Sequence, residues 1–185
     1  MSWQTVRLDD VLPSPWRNGG GVTRELVAWP GPQDWFWRMS VAEVARSGPF
    51  SRFEGVQRWF AVLGGAGVRL TLGEHTHELT RDSAPLCFDG ASPVDCQLLN
   101  GATQDFNLML RADKAAQMKR ISGTISVVLD VPKTVAIFAT GEGTQVLCGP
   151  DSFELPACCL AWQALPAGSA VQIESVEALW MEIDP

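Results

Sequence analysis

Short apolar runs separated by turn-forming residues follow one another along almost the whole of this 185-residue chain. The runs are rich in Val, Ile, Leu, Phe and Trp, and Gly, Pro, Asp or Ser separates them, from residues 3–8 to residues 178–183. This spacing is typical of β-strands in a sandwich or barrel, while long stretches with a helical period are scarce. We therefore predict an all-β fold with one short helix, at residues 113–119.

The chain also repeats itself. Residues 59–67 resemble residues 135–143, and at the same offset along the chain Gly73 corresponds to Gly149. Self-similarity of this kind predicts two copies of one structural unit. Each copy is predicted to begin with three strands, which a Gly-x-Gly hairpin and a second turn connect. An apolar strand, a Pro/Gly turn and two more strands follow.

This succession of strands resembles the cupin jelly roll. The resemblance implies a bicupin, that is, two jelly-roll or cupin-like β-barrels derived from an internal repeat. We expect residues 1–115 to form an N-terminal cupin with a polar pocket, because the polar candidate residues lie there. Residues 116–185 then form a blander, degenerate second cupin half that packs on the first in a single compact unit.

Charge and cysteine content exclude several classes of protein. The net charge of −7 and the pI near 4.8 leave no basic patch for nucleic acid or for an anionic membrane surface. No apolar run approaches the ~20 residues of a membrane span, and the first residues lack the apolar segment of a signal peptide. The five cysteines are an odd number without Cys-x-x-Cys spacing, which predicts reduced thiols in a cytoplasmic protein and no zinc or disulfide framework.

The most distinctive polar segment, residues 15–26, has the sequence PWRNGGGVTREL. Three successive glycines are costly to order, so a folded chain keeps them where the backbone turns sharply or approaches another group closely. The segment lacks the Lys-Ser/Thr of a phosphate loop and the glycine spacing of a dinucleotide site. Two interpretations remain open: a loose surface loop, or a polar recognition site that includes Asn18, Gly19 and Gly20.

The two histidines, His75 and His77, alternate along a predicted strand and so share one face. Cupins often bind a metal ion through such a His-x-His pair, but there the pair precedes the Gly-x-Gly hairpin, whereas here it follows the hairpin. The segment in the ligand position, residues 49–58, contains no histidine. We therefore predict that His75 and His77 lie on a solvent-exposed hairpin, and that the protein binds no metal and no cofactor.

Several polar residues on predicted strands could face either a polar barrel interior or solvent. Strand periodicity puts Arg38 and Ser40 on one face, and likewise Asp105 and Asn107, without deciding which face is inward. Arg58 opens an apolar strand, where its guanidinium suits bidentate capture of a carboxylate. A salt bridge at the rim of the barrel is the other interpretation of Arg58.

Five motifs match the pattern of one family in order along the chain. They are WRNGGGVT (16–23), WRMSVA (37–42), GPFSRF (48–53), GVQR (55–58) and DFNLM (105–109). On these motifs the chain resembles the HutD/Ves family, although Arg17 stands where Lys is more usual and Glu54 where Pro is frequent. The resemblance implies a bicupin without the usual cupin metal ligands and an association with bacterial histidine utilisation. It also implies regulation through binding of a pathway intermediate of the kind of urocanate or N-formyl-glutamate.

We favour a protein that binds a small anionic or polar metabolite, with Arg58 and Arg38 holding a carboxylate or formyl oxygen. Nucleic acid and membrane partners are not expected, and a homodimer is compatible with the sequence. The predicted ligand-binding residues are Asn18, Gly19, Gly20, Arg38, Ser40, Ser51, Arg58, Asp105 and Asn107.

Two other functions are compatible with the same residues. One is a metal-independent isomerase or hydrolase that acts on a small organic acid, with Asp105 or Glu25 as the base. The other is a protein-interaction scaffold, which would need Trp29 and Trp35 in one exposed apolar surface.

Overall fold

The structure is a computed structural model that describes residues 2–111 and 114–185. The chain divides into two compact units, one of Val11–Asp113 and one of Met1–Asp10 together with Lys114–Pro185. Strands form nearly all of the regular structure, and the helical segment among the described residues is a turn of 3-10 helix at Leu8–Asp10. No helix in these residues is long and apolar enough to cross a lipid bilayer. The prediction of an all-β fold is confirmed.

The strands are short, with two long exceptions near the C-terminus. In chain order they are β1 (Gln4–Arg7), β2 (Ser14–Pro15), β3 (Gly21–Trp29), β4 (Trp37–Val44), β5 (Gly48–Pro49), β6 (Val56–Gly64), β7 (Val68–Leu72), β8 (His75–Leu79), β9 (Leu86–Asp89), β10 (Val94–Leu98), β11 (Thr103–Arg111), β12 (Ala116–Val128), β13 (Lys133–Ala139), β14 (Thr144–Cys148), β15 (Asp151–Leu155), β16 (Cys159–Leu165) and β17 (Ala170–Ile183).

The unit Val11–Asp113 consists of two antiparallel sheets. A six-stranded sheet has the order β2-β3-β4-β11-β6-β9, and a four-stranded sheet has the order β5-β10-β7-β8. Apolar side chains from both sheets, among them Val62, Val68, Leu70 and Cys96, pack into one buried cluster. This cluster is the core of the unit, and burying it is the main contribution to the stability of the unit.

The second unit is one seven-stranded antiparallel sheet. Its order is β1-β16-β13-β17-β14-β15, and β12 also pairs with β17. Ile137, Val146, Leu155 and Trp180 belong to its buried apolar cluster. All five cysteines of the chain are free thiols.

The repeat seen in the sequence has a counterpart in two hairpins, one in each unit. In the hairpin β7–β8, Val68 pairs with Leu79, and in the hairpin β14–β15, Thr144 pairs with Leu155. Both hairpins therefore have the same register, and their positions along the chain differ by the same offset that relates Gly73 to Gly149.

The helix predicted at residues 113–119 is wrong wherever the structure describes that segment; residue 113 lies outside the described residues. β12 begins at Ala116 and pairs with β17 along most of its length. This long ladder satisfies the backbone donors and acceptors of residues 116–119, whereas an isolated helical turn would leave most of them unpaired. Within this ladder β17 contains a bulge between Ser175 and Ala178.

The three successive glycines, of which the last begins β3, are held in place in different ways. Gly19 has a φ angle of 66°, a left-handed conformation that side-chain-bearing residues rarely adopt. The carbonyl oxygen of Gly20 accepts hydrogen bonds from the backbone amides of Ala45 and Arg46. A Cβ atom on Gly21 would overlap the carbonyl oxygen of Glu43 on the paired strand. The segment is therefore a tightly held turn and not a loose surface loop.

We predict that Gly21→Ala destabilises the protein by several kcal/mol, because the added methyl group would collide with the backbone of β4 and force two paired strands apart. Gly141→Ala is the control, since a Cβ atom there meets open space. Urea unfolding of both variants measures the difference. Equal midpoints for Gly21→Ala and Gly141→Ala would show that β4 does not approach Gly21 this closely.

Candidate functional site

A cavity of about 620 Å³ lies within the unit Val11–Asp113. One face of the six-stranded sheet forms its wall, and the chain before β3 and residues 49–53 complete it. Its volume is in the range of sites that bind small molecules. The lining residues are Val11, Leu12, Ser14, Pro15, Trp16, Arg17, Asn18, Thr23, Glu25, Arg38, Ser40, Ala42, Val44, Pro49, Phe50, Ser51, Phe53, Arg58, Phe60, Asn107 and Met109.

The register of β11 with its two neighbours decides which side chains reach the cavity. Every second residue of a strand points to the same face, so the cross-strand pairs on that face form rows. The rows are Arg38–Met109–Arg58, Ser40–Asn107–Phe60 and Ala42–Asp105–Val62. All members of the first two rows line the cavity, and in the third row only Ala42 does. Arg38 and Ser40 thus face the interior of the unit and not solvent.

Arg58 is the most unusual of these residues, because its side chain is charged and only 5% exposed. Its guanidinium carbon lies 5.3, 5.7 and 5.2 Å from the ring centres of Phe50, Phe53 and Phe88, which we call the phenylalanine cage. Cation–π attraction of this kind stabilises a desolvated guanidinium in part. Aromatic rings carry no net charge, however, so the cage leaves the positive charge of Arg58 unbalanced.

The polar contacts of Arg58 are few. Its Nη2 donates a hydrogen bond of 2.8 Å to Oδ1 of Asn107, and its Nη1 lies 3.5 Å from the carbonyl oxygen of Ser51. Its Nε is buried and has no hydrogen-bond partner in residues 2–111 and 114–185. The ion pairs within those same residues do not include Arg58. The described residues therefore bury this cation without a carboxylate beside it.

Burial, and to a smaller extent the positive charge of Arg38, lowers the pKa of Arg58 to about 10. The guanidinium remains protonated at neutral pH despite this shift. A buried charge without a partner is costly, and an anion that enters the cavity would offset that cost. Because Arg58 lines the cavity, its guanidinium is suited to pairing with an anion that enters.

Arg38, the second cation in the cavity wall, has a carboxylate partner. Its Nε lies 3.2 Å from Oε2 of Glu25, although the N–H is not directed well enough for a hydrogen bond. The two side chains are 22% and 38% exposed, so the pair lies toward the open side of the cavity. Trp35 lies beneath the Arg38 guanidinium at 6.0 Å. The two arginines of the first row therefore differ, because within residues 2–111 and 114–185 Arg38 has a carboxylate partner and Arg58 has none.

Asp105 lies in the core below the cavity and does not line it. Its Oδ2 accepts a hydrogen bond of 2.8 Å from the Thr103 hydroxyl, and its Oδ1 has no partner among the described residues. Burial raises the pKa of Asp105 from 3.8 to about 7, while the Thr103 hydrogen bond acts in the opposite direction. Asp105 and Asn107 share one face of β11, and that face is the inward one. The side chain of Asp105 contacts a hydroxyl, however, and neither an arginine nor the cavity.

The glycine-rich turn contributes to the cavity through Asn18. Its Oδ1 accepts a hydrogen bond of 2.9 Å from the backbone amide of Gly20, which leaves its Nδ2 as a donor. Gly19 and Gly20 do not line this cavity. Gly20 instead lines a smaller cavity of about 260 Å³ that shares Trp16 and Phe50 with the larger one.

Some residues of the site are not predicted from the sequence. Phe50 and Phe53 belong to a recognised motif, but their role as neighbours of Arg58 depends on how residues 49–53 fold over the sheet. Phe88 is the cross-strand partner of Arg58 on β9, a pairing that the sequence does not specify. Trp16 lines the cavity and donates its Nε1–H to the Thr23 hydroxyl over 2.7 Å.

The two histidines lie away from this cavity, on the β7–β8 hairpin. His75 is exposed and pairs with Leu72, and His77 pairs with Leu70. In the described part of the chain, no three His, Cys, Asp or Glu side chains are grouped so that they could hold a metal ion.

The buried acid generates a pH prediction. Since Asp105 binds its proton more tightly in the folded protein than in the unfolded chain, rising pH favours unfolding between about pH 4 and pH 7. In the wild type the free energy of unfolding should therefore fall by on the order of 1 kcal/mol per pH unit over that window. In Asp105→Asn this fall should be absent, and above about pH 8 the two proteins should show similar slopes. Urea unfolding between pH 5 and pH 8 measures this. The exposed Asp95→Asn is the control, and parallel curves for the wild type and Asp105→Asn would contradict the prediction.

Comparison with known proteins gives the family. The HutD family profile matches residues 8–181. An uncharacterized 21.2 kDa protein in the hutC 3' region of Pseudomonas putida is 37% identical over 147 residues, which cover 77% of this chain and 76% of that protein. Protein Ves of Citrobacter koseri is 39% identical over 110 residues, and the match covers 58% of this chain and 57% of Ves.

Solved structures agree with this assignment. A conserved protein of unknown function from Pseudomonas aeruginosa PAO1 has a TM-score of 0.89 at 29% identity, with 100% of both chains covered. HutD from Pseudomonas fluorescens SBW25, in a formate condition, has a TM-score of 0.85 at 29% identity, with 98% of both chains covered. The oxalate decarboxylase of Lactobacillus farciminis, in a formate complex, has a TM-score of 0.67 at 8% identity, with 97% of this chain and 85% of that chain covered. At this low identity the similarity is one of fold alone. The chain belongs to the HutD family, and its fold is all-β and cupin-like.

Proposed function

We propose that the cavity of the unit Val11–Asp113 binds a small metabolite that carries a carboxylate or formyl group. The observation that supports this most strongly is Arg58, a buried cation that faces the cavity without a carboxylate partner among the described residues. The interior of a protein is an expensive place for an unbalanced charge, and a bound anion gives a physical reason for keeping one there.

Neutral hydrogen-bonding groups surround the cation and would orient the rest of the ligand. The Ser40 hydroxyl and the Asn107 amide lie in the row next to Arg58, and the Nδ2 of Asn18 is a further donor. This set of guanidinium, amide and hydroxyl groups suits an organic anion, whereas metal ions are held by imidazole, thiolate or several carboxylates. Binding in this proposal is independent of a metal ion.

The biological role that we propose is a cytoplasmic sensor or regulator in histidine utilisation. Support comes from the HutD family itself and from the relative of Pseudomonas putida in the hutC 3' region. Urocanate and N-formyl-glutamate are therefore the first compounds to test, since both carry carboxylates and the second also carries a formyl group.

The alternative functions have less support. For a metal-independent isomerase or hydrolase, Glu25 is the carboxylate in the cavity lining, but it is paired with Arg38, and Asp105 lies below the cavity. An interaction scaffold would need Trp29 and Trp35 exposed together, and Trp35 is only 6% exposed.

We also propose that the repeat produces a bicupin, with the polar cavity in the first copy. The matching registers of the β7–β8 and β14–β15 hairpins support a common origin for the two units. The division into residues 1–115 and 116–185 stays a prediction about this repeat.

The binding proposal predicts opposite effects of one substitution on stability and on binding. Arg58→Met replaces a buried cation by an apolar side chain of similar size within the phenylalanine cage, so the unliganded variant should be as stable as the wild type or more stable. The same variant should lose the stabilisation that the ligand gives the wild type, about 2.7 kcal/mol when the ligand is at ~100 times its dissociation constant.

Thermal-shift and calorimetric titration with urocanate, N-formyl-glutamate and acetate measure both effects. Arg69→Met is the matched control, because Arg69 is exposed on β7 and pairs with Glu78 outside the cavity. No binding of any of these acids to the folded wild type, or binding that Arg58→Met leaves intact, would overturn the proposal.

A further inference from the structure

The first row of the cavity wall contains two cations that a ligand could reach together. Arg38 and Arg58 are both paired with Met109, one on each side, so their Cα atoms lie about 10 Å apart, twice the spacing of neighbouring strands. Two long side chains that start this far apart and line the same cavity could hold two carboxylates of one ligand. If both were unpaired, the cavity would be suited to a dicarboxylate.

Glu25 changes the net charge of the cavity wall. It lies on β3 opposite Ser40, so its side chain faces the same cavity and reaches diagonally toward Arg38. The 3.2 Å separation between Glu25 Oε2 and Arg38 Nε shows that the carboxylate already occupies the neighbourhood of this guanidinium. A ligand carboxylate at Arg38 would therefore have to displace Glu25 or lie beside a like charge.

Among the described residues that line the cavity, Arg58 is then the buried cation without a carboxylate partner. Arg58 is buried within the phenylalanine cage, and the charges of Arg38 and Glu25 cancel. Arg17 also lines the cavity but is an exposed residue, so solvent and salt screen its charge. The interior of the cavity is therefore matched to a ligand with a single negative charge.

We propose that Glu25 determines the charge selectivity of this site: by pairing with Arg38 it restricts the cavity to monocarboxylates and disfavours dicarboxylates of the same size. The proposal rests on the binding function proposed above. It assigns Glu25 a role in choosing between ligands, through the charge that it presents to them, and no role in a reaction.

The test compares two probes that differ by one charge and little else, N-formyl-glutamine and N-formyl-glutamate. We expect the wild type to bind the monoanionic N-formyl-glutamine more tightly. In Glu25→Gln, which keeps the size of the side chain and frees Arg38, the ratio of the two affinities should move toward N-formyl-glutamate by about tenfold. This change should shrink as the salt concentration rises.

Glu43→Gln is the matched control, because Glu43 forms an equivalent ion pair with Arg24 between the same two strands but does not line the cavity. Binding of N-formyl-glutamine by Glu25→Gln also shows that this variant is folded. If the wild type binds neither probe nor urocanate, the proposed function itself fails. If the wild type binds but prefers the dianion, or if Glu25→Gln leaves the affinity ratio unchanged, only the role of Glu25 is overturned.

Discussion

A buried guanidinium without a carboxylate beside it is the feature on which the cavity depends. Arg58 contacts three phenylalanine rings, one amide oxygen and one distant carbonyl, and its Nε has no partner among the described residues. Such an arrangement is unfavourable for an isolated protein and favourable for one that receives an anion. Asn107 matters here because its amide oxygen accepts a hydrogen bond of 2.8 Å from Nη2 of the guanidinium and so helps to fix its position.

The position of this cation follows from strand register. A slip of one residue between β11 and its neighbours would turn Asn107 and Met109 away from the cavity and turn Phe106 and Leu108 into it. The native register is favoured because Phe106 and Leu108 are fully buried on the opposite face, so a slip would place the polar Asn107 in their apolar surroundings. The bulge near Asp105, where the pairing with β6 shifts, lies at the end of the cavity, in the core.

Much of the fold can be predicted from the sequence, whereas less of the candidate site can. The alternation of apolar runs and turn residues predicts the strands, and the internal repeat predicts hairpins of equal register. The direction in which Arg38 faces is not predictable in this way, because a strand period fixes a shared face without saying which one is inward. The cage around Arg58 depends on contacts such as that with Phe88, which lies on a different strand well separated along the chain. The helix expected at residues 113–119 is a further example. The pairing of β12 with β17, far along the chain, decides the structure of residues 116–119, and the helical preference of the local sequence does not.

The most direct test of the account is a crystal structure of the protein with urocanate bound. The account predicts that the urocanate carboxylate lies within hydrogen-bond distance of the Arg58 guanidinium, inside the cavity of about 620 Å³, with Ser40 or Asn107 in contact with the ligand. It also predicts that Arg58 keeps its place among the three phenylalanine rings when the ligand is bound. A ligand bound elsewhere, or bound in this cavity with its carboxylate away from Arg58, would contradict the central claim.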